Sequence, residues 1–284
     1  MANETTDALA GFNNLEVAEA IAPTWERRRK QIEMVAAQGR ELMLRELDPQ
    51  PGDTMLELAA GTGDTGFDAA ERVGEDGRLI SSDFSPAMLD AARRRGAERG
   101  IENVEYRVID AERIELADDS VDGVICRFGY MLMGDPAQAL AETRRVLRTG
   151  GRLVLAVWGP PERNPFFMIP AISLIQRGHI PPPDPPPAPG IFAMADAERT
   201  SRLLREAGFD DVRTEELSVT FPLPDVGEYL AFLADTAGPL ALALRALSES
   251  DRAEVAADVE DSLARFAVNG GYELPGVALL AVAS

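Results

Sequence analysis

The feature that most constrains the fold is a regular alternation of short apolar runs and helical segments between residues 54 and 159. Five runs rich in branched residues are predicted strands, at 54–60, 78–84, 104–111, 121–128 and 152–158. Helix-start signals stand between them, as at Ser85-Pro86 and Asp135-Pro136, where a capping side chain precedes a proline. Strands this apolar, joined by helices, indicate a parallel sheet covered on both faces. We therefore predict an α/β fold of the doubly wound, Rossmann-like type.

The rest of the chain surrounds this core with helical and proline-rich segments. We predict an N-terminal helical segment at 1–50, a core at 51–159, a proline-rich lid insertion at 160–194, and a C-terminal part at 195–284 that includes a helical lid at 225–268. Within these parts the patterns predict polyproline II at 181–189, helices at 195–207, 225–247 and 250–267, and strands at 215–221 and 276–283. Gly238-Pro239 should break the first lid helix, and Gly150-Gly151 should end the helix that begins at Pro136.

Composition and charge exclude several classes of function. The 284 residues carry a formal net charge of −20, which argues against a nucleic-acid partner because phosphate binding needs a basic surface. No apolar run approaches the roughly 20 residues of a membrane helix, and the N-terminus lacks a signal-peptide pattern. The single cysteine, Cys126, makes a cysteine-based metal site improbable and is expected to be a buried apolar residue. We expect a cytoplasmic protein without a metal, with a homodimer as the candidate assembly.

A glycine-rich turn follows the first predicted strand. The segment from Gly61 to Gly66 reads G-x-G-x-x-G, a pattern that suits any adenosine-bearing ligand, NAD included. Glu57 precedes this turn and Asp64 follows it. Carboxylates in these places repel a pyrophosphate and favour a ligand with a positive charge, so the charge pattern argues against NAD.

Two further acids follow the next two predicted strands. Asp83 lies 22 residues beyond Gly61, close to the roughly 20-residue offset of an acid that binds ribose hydroxyls; the alternative is that Asp83 only caps the following helix. Asp110 and Ala111 can bind an adenine through a carboxylate and a backbone N–H. Together these groups favour S-adenosylmethionine, an adenosine with a cationic amino-acid tail.

Several motifs in order resemble those of class I S-adenosylmethionine-dependent methyltransferases, closest to the ubiquinone/menaquinone biosynthesis C-methyltransferase branch. They are LELAAGTGDTGF, SSDFSPAML, RVIDAERIELADDSVDGVICRFGYML and AQALAETRRVLRTGGRLVLAVW, and they cover about residues 50–160. The resemblance implies a seven-stranded sheet whose last strand runs antiparallel between the fifth and sixth. It implies a methyl-donor site formed by Glu57, Ala59, Gly61, Thr62, Gly63, Asp83, Phe84, Met88, Asp110, Ala111 and Arg127.

The resemblance also assigns roles within that site. Thr62 and its flanking glycines would line the methionine portion, with Glu57 supporting the turn and Arg127 near the methionine moiety. The chain departs from the quinone-methylating relatives in one place: their Arg-Asn pair after the fourth strand is replaced by Met131 and Leu132. This difference puts a quinol substrate in doubt, and we expect a different small, largely apolar organic acceptor.

The acceptor site is expected over the carboxyl ends of the strands. Its candidate residues are Trp25, Tyr130, Met131, Met133, Trp158, Phe166, Phe167, Met168 and His179. His179 and, more weakly, Tyr130 are candidate general bases; ordinary core packing is the alternative for the methionines and phenylalanines. Two other functions stay open at this point: an NAD-dependent oxidoreductase, and a non-catalytic protein that binds S-adenosylmethionine.

Overall fold

The computed structural model describes residues 15–182 and 190–284. At its centre is a mixed β-sheet. The strands are β1 (Thr54–Glu57), β2 (Arg78–Asp83), β3 (Val104–Val108), β4 (Val121–Arg127), β5 (Leu147–Trp158), β6 (Val212–Leu223), β7 (Ala267–Val268) and β8 (Gly271–Ala283). Their order in the sheet is β3-β2-β1-β4-β5-β8-β6, with the two-residue β7 paired to β8. β8 is antiparallel to both β5 and β6, and the pairs among β1 to β5 are parallel. The doubly wound fold with an antiparallel last strand is confirmed.

Helices cover the sheet and extend beyond one of its ends. They are α1 (Leu15–Leu47), α2 (Asp64–Val73), α3 (Pro86–Arg99), α4 (Pro136–Val146), α5 (Pro165–Gln176), α6 (Ala197–Glu206), α7 (Val226–Thr236), α8 (Pro239–Ala246) and α9 (Glu249–Leu263). The expected break at Gly238-Pro239 separates α7 from α8. Short 3-10 turns lie at Tyr130–Leu132, Pro161–Arg163 and Ala264–Phe266. Within the described ranges, no helix has the length and apolar character that a bilayer span requires.

The sheet contributes to two hydrophobic clusters because successive side chains of a strand point to opposite faces. In β4, Val124 and Cys126 belong to one cluster and Ile125 to the other. The cluster around Ile125 is completed by α1, α2 and α3, including Leu44 and Phe67. The opposite cluster is completed by α4 to α9. Both faces of the central strands are therefore covered, as their apolar composition predicted.

The predicted end of α4 at Gly150-Gly151 is wrong. The helix ends at Val146 and β5 begins directly at Leu147, which pairs with Val121 of β4. The register of β4 against β5 then shifts between Val121 and Gly123, and the two glycines lie within this irregular start of β5. Pairing with the neighbouring strand therefore places the boundary, rather than the local glycine signal.

The insertion at 160–194 contains a helix that the sequence pattern did not predict. α5 begins with Pro165 in its first turn and continues past Pro170. It buries Phe166, Ile169 and Leu174 in the core, and this burial offsets the hydrogen bond lost at the internal proline. The polyproline prediction at 181–189 falls for the most part on residues outside the described ranges.

The bounds of other elements also differ from the sequence pattern, including those of three further strands. The third strand ends at Val108 instead of 111, because Asp110 turns back to form an isolated bridge with Arg113. β6 and β8 extend beyond the predicted 215–221 and 276–283, because they form one long antiparallel ladder from Val212 to Leu223.

Candidate functional site

A large cavity lies over the carboxyl ends of the parallel strands. Its volume is about 1080 Å³, and residues that end or follow β1, β2, β3, β4, β5 and β6 line it. Open α/β sheets bind ligands in this place, where the strand order reverses beside the first strand. The cavity continues under α1, α5 and α7, so that one space connects the strand ends with the helical lid.

One side of the cavity, the polar wall, contains most of the predicted donor-site residues. These are Ala59, Gly61, Thr62, Asp83, Phe84, Met88, Asp110, Ala111 and Arg127. Glu57 and Gly63 do not line the cavity: Gly63 belongs to the glycine turn itself, and Glu57 lies behind that turn. The structure thus brings nine residues of the predicted set to a common surface, with two as its support.

The turn that forms this wall has an unusual backbone. Gly61 and Gly63 have φ values of 56° and 82°, in the left-handed region that favours glycine. A Cβ added to Gly63 would also stand 2.6 Å from the Phe67 ring, so the turn packs directly on α2. Ala59 adopts a φ of 52° despite its side chain. These positions let the chain reverse sharply and present its backbone to the cavity.

Glu57 holds the turn from behind. Its carboxylate accepts hydrogen bonds from the Gly66 N–H at 2.7 Å and the Ser81 hydroxyl at 3.2 Å. A Cβ at Gly66 would approach this carboxylate to 2.2 Å, which explains the third glycine of the motif. Burial raises the pKa of Glu57 to about 8, although the Gly66 N–H and the nearby Arg127 guanidinium act in the opposite direction.

The electrostatic argument from Glu57 therefore needs correction. A carboxyl group that is 3% exposed and whose pKa lies near 8 is mostly protonated at neutral pH. Glu57 does not face the cavity and cannot select a cationic ligand by its charge. Its role in the structure is to brace the glycine turn, and Asp64, which lines the cavity, is paired with Arg95 at 2.9 Å.

Asp83 connects the turn to the next helix. One carboxylate oxygen accepts the Gly61 N–H at 2.9 Å and the other accepts the Ser85 N–H at 3.0 Å. Ser85, not Asp83, is the N-cap of α3, because the Ser85 hydroxyl accepts the Met88 N–H. Burial is the largest influence on Asp83 and raises its pKa. The helix-cap alternative is thus replaced by a carboxylate that lies between the turn and α3 and also lines the cavity.

Asp110 occupies the tip of the third strand in a more open position. Its side chain is exposed, accepts the Glu112 N–H at 3.0 Å and lines the cavity beside Ala111. A second oxygen of this carboxylate is free to accept a hydrogen bond from a ligand. Asp83 and Asp110 thus lie at the tips of adjacent strands, as predicted.

Arg127 is a half-buried cation on the same wall. Its Nε is enclosed without a hydrogen-bond partner, and its guanidinium forms no ion pair with any residue in the described ranges. Burial lowers its pKa, while Glu33 and Glu57 act in the opposite direction. An enclosed polar group without a partner is costly and is normally satisfied by a ligand or water. A guanidinium binds carboxylates well, so Arg127, the last residue of β4, gives this wall a group that can bind the carboxylate of a ligand.

The other side of the cavity, the aromatic wall, is built from rings. Its members are Trp158, Phe166, Phe167, Phe192, Phe221, Tyr229 and Phe232. Phe166 stacks on Phe221 with ring centres 4.1 Å apart, and Trp158 stacks on Phe128 at the same distance. Such a surface buries flat apolar molecules and adds offset or edge contacts with their rings.

Helix α1 covers the cavity and attaches to both the core and the lid. Glu19 accepts hydrogen bonds from the Ser85 hydroxyl and the Ala87 N–H at the start of α3. Arg28 binds Glu228 at 2.5 Å and Asp235 at 2.7 Å on α7. The Glu19 carboxylate, which lies at the N-terminus of α3, is also stabilised by the dipole of that helix. Trp25, predicted at the site, lies within 4.0 Å of a Cβ position at Gly61.

The two candidate general bases, Tyr130 and His179, do not line the cavity. The Tyr130 hydroxyl shares a 2.5 Å hydrogen bond with Thr143, the side chain is fully buried, and burial raises its pKa well above the usual value. His179 follows α5 and, like Tyr130, is absent from the cavity lining, whereas Ile180 beside it is present. This geometry argues against either residue as a base.

The other predicted acceptor residues do line the cavity. They are Trp25, Met131, Met133, Trp158, Phe166, Phe167 and Met168. Sequence reasoning missed Phe192, Phe221, Tyr229 and Phe232. Phe221 ends a predicted strand and could have been found by the same strand-end rule, whereas Tyr229 and Phe232 carried only an ordinary helical core spacing.

A doubly wound sheet with a glycine turn, two strand-tip carboxylates and a covered cavity is typical of proteins that bind an adenosine-bearing ligand. The sequence model of the ubiE/COQ5 methyltransferase family matches residues 29–167. Demethylmenaquinone methyltransferase of Deinococcus radiodurans is 33% identical over 59% of this chain and 70% of its own length. Arsenite methyltransferase of Halobacterium salinarum is 32% identical over 63% of this chain and 45% of its own length.

A solved structure has the same fold. The S-adenosylmethionine-dependent methyltransferase of Aquifex aeolicus matches 66% of this chain and 86% of its own, with a TM-score of 0.50 and 21% identity. The chain belongs to the ubiE/COQ5 methyltransferase family and is an S-adenosylmethionine-dependent methyltransferase. This membership sets aside the oxidoreductase and the non-catalytic alternatives.

Proposed function

We propose that this methyltransferase acts on a small, flat and largely apolar organic molecule. The observation that carries the proposal is the aromatic wall, which faces the same cavity as the polar wall. Cavities for single drug-sized ligands measure about 300–1,000 Å³. At about 1080 Å³ this cavity has room for the methyl donor and a second molecule.

The polar wall fits S-adenosylmethionine residue by residue. Arg127, a half-buried cation whose Nε is enclosed without a hydrogen-bond partner, would bind the carboxylate of the methionine portion. Asp83 would accept hydrogen bonds from the ribose hydroxyls, and Asp110 with Ala111 would bind the adenine. Thr62 and the adjoining glycine backbone would line the methionine portion. The bound donor supplies a methyl group on a positively charged sulfur.

The protein's own part in the reaction is to position and to exclude water. Helix α1 closes the cavity from above, held by Arg28 to α7 and by Glu19 to α3. Around the aromatic wall the Glu228 carboxylate is engaged with Arg28 and Gln31, so it is not free to remove a proton. Because the donor supplies a methyl group that is itself strongly electrophilic, we infer an acceptor that is nucleophilic by itself, such as an electron-rich ring or a phenolate, held in line and desolvated.

The names of two relatives, demethylmenaquinone methyltransferase and arsenite methyltransferase, suggest two acceptors to compare with this cavity. A thiophilic substrate such as arsenite calls for thiols, and Cys126, the single cysteine, is buried with its pKa raised to about 12 by burial. A naphthalene-sized ring, as the name demethylmenaquinone implies, suits the aromatic wall. Met131 and Leu132 line the cavity where the quinone-methylating relatives carry Arg-Asn, however, so we propose a ring acceptor other than a quinol.

We extend the proposal to the cellular setting. The net charge of −20 supports a small-molecule acceptor rather than a nucleic acid. A cytoplasmic enzyme that assembles as a homodimer is the setting we propose.

The proposal is tested with a panel of acceptors and labelled S-adenosylmethionine. Phenols, naphthols and polyphenols of two or three fused rings form the test set, and glycine and phosphoethanolamine form the polar controls. We expect methylated product, measured by mass spectrometry, within the ring set alone. Transfer to the polar controls with none to the rings would contradict the aromatic wall as the acceptor site.

A further inference from the structure

Trp158 stands at the junction of the two walls. It is the last residue of β5. Two residues before it, Ala156 pairs with Arg127 of β4, and the Ala156 carbonyl accepts the Phe128 N–H at 2.7 Å. Its ring stacks on Phe128 on one side and meets Phe167 at 5.0 Å and a tilt of 56°. A molecule held against Trp158 is therefore adjacent to the wall assigned to the methyl donor.

The indole N–H of Trp158 is a free donor. It has no hydrogen-bond partner within residues 15–182 and 190–284 and, unlike the Nε of Arg127, it is not an enclosed orphan. The side chain is 7% exposed, and the cavity is the space that it lines. The N–H is therefore open to the cavity interior.

Several other side chains that line the cavity already donate a hydrogen bond to the protein. These hydrogen bonds run from Tyr229 to the Phe166 carbonyl, from Trp25 to the Thr236 carbonyl, from Thr236 to the Phe232 carbonyl, from Arg199 to the Ala193 carbonyl, and from Gln31 to the Glu228 carboxylate. Among the rings of the aromatic wall, Trp158 is therefore the one with a free donor, because the Tyr229 hydroxyl is engaged. A ligand oxygen that lies among these rings keeps a hydrogen bond by meeting this donor.

We propose that Trp158 determines which acceptors are used and how they lie. Its indole N–H donates to an uncharged or phenolic oxygen on a flat apolar ring, while the surrounding rings bury the rest of the molecule. The acceptor class is thus an oxygenated fused-ring compound, bound with its oxygen toward the donor wall. This inference rests on the proposed function and adds the polar group that the acceptor must carry.

The test compares two planar probes that differ by one carbonyl, 9-fluorenone and fluorene. Binding is measured by equilibrium dialysis to the full chain saturated with S-adenosylhomocysteine. In the variant Trp158→Phe we expect fluorenone affinity to fall about 3–10-fold more than fluorene affinity, the scale of one hydrogen bond. The matched control Phe167→Leu removes ring area without a donor and should weaken both probes by the same factor.

A second measurement uses the unaltered chain, in case the variant does not fold. The chain has two tryptophans, so its indole N–H groups give two nuclear magnetic resonance signals, which the variant Trp25→Phe assigns. We expect the Trp158 signal to move downfield with fluorenone and not with fluorene. Equal loss of both probes in Trp158→Phe, or an unmoved signal with fluorenone bound, overturns the role of Trp158. Failure of both probes to bind the unaltered chain instead contradicts the flat apolar acceptor site itself.

Discussion

At the scale of single residues, the polar wall is held by carboxyl groups that differ in what they face. Glu57 lies behind the turn and bonds only to protein atoms, whereas Asp83 bonds to the turn and also lines the cavity. A carboxyl group thus supports the glycine turn in one place and is available to a ligand in the other. Position relative to the cavity decides which, since Asp83 lines the cavity and Glu57 does not.

Replacing Asp83 tests the ribose role. Asp83→Ala should weaken S-adenosylmethionine binding by about 1–3 kcal/mol, because ribose hydroxyls and the Gly61 N–H both lose their acceptor. Isothermal titration calorimetry measures this directly. Asp76→Ala, at an exposed position before the opposite end of β2, is the matched control and should bind as the unaltered chain does. Equal affinities in the two variants would leave Asp83 with a purely structural role.

Glu57 gives a prediction on pH. Its pKa is about 8 in the folded chain against an ordinary 4.5, so the folded state holds the proton more tightly. The stabilisation is complete below pH 4.5 and is lost as the pH rises toward 8, at up to about 1.4 kcal/mol per pH unit. Glu57→Gln cannot titrate and lacks this loss.

Urea unfolding of both proteins between pH 5.5 and 8 measures the difference. We expect the free energy of unfolding of the unaltered chain to fall relative to Glu57→Gln across this range. Parallel curves would mean that Glu57 is ionised in the fold throughout, with Arg127 as its partner.

At the scale of elements, α1 is the part that joins lid and core. Arg28→Ala removes the ion pairs to Glu228 and Asp235, and hydrogen exchange in residues 15–47 should become roughly tenfold faster, as expected for the loss of hydrogen bonds to charged groups at a partly exposed site. Arg27→Ala on the next, exposed position contacts only its own helix and serves as control. Similar exchange in both variants, measured by mass spectrometry, would show that the Arg28 ion pairs do not hold α1 in place.

The elements that the sequence predicted well are those in which local and long-range signals agree. Ser85-Pro86 marks the start of α3 because cap and proline geometry are local. The end of α4 was misplaced because the pairing of Leu147 with Val121 leaves no mark near Gly150. Helix α5 was missed because its prolines argue against a helix and only burial of its apolar residues favours one.

The site divides in the same way. Its polar wall was predictable because Gly61, Asp83 and Asp110 follow strands, and parallel strands end at one edge of the sheet. The aromatic wall was found only in part, because Tyr229 and Phe232 reach the cavity through the packing of α7, which no spacing encodes. His179 and Tyr130 were chosen by residue type, and residue type alone does not place a side chain.

At the scale of the whole molecule, the chain should behave as one cooperative unit, although it combines an N-terminal helix, a core and a lid. Helix α1 contacts β5, β6, α3 and α7, and Trp25 on α1 lines the same cavity as Trp158 on β5. The two tryptophans therefore report on the cover and on the core separately. The variants Trp158→Phe and Trp25→Phe each leave one of these fluorescent reporters.

In each variant, the fluorescence of the remaining tryptophan should change at the same urea concentration as the far-ultraviolet circular dichroism. This should hold for Trp25 as well as for Trp158. S-adenosylhomocysteine at 100 times its dissociation constant should raise the free energy of unfolding by about 2.7 kcal/mol at both reporters, since a ligand of the folded state stabilises everything that unfolds with its site. A Trp25 transition that precedes the circular dichroism change and is insensitive to ligand would instead make α1 an independent cover. The polar wall would then be complete without α1, and the Arg28 and Glu19 contacts would serve only to close the cavity.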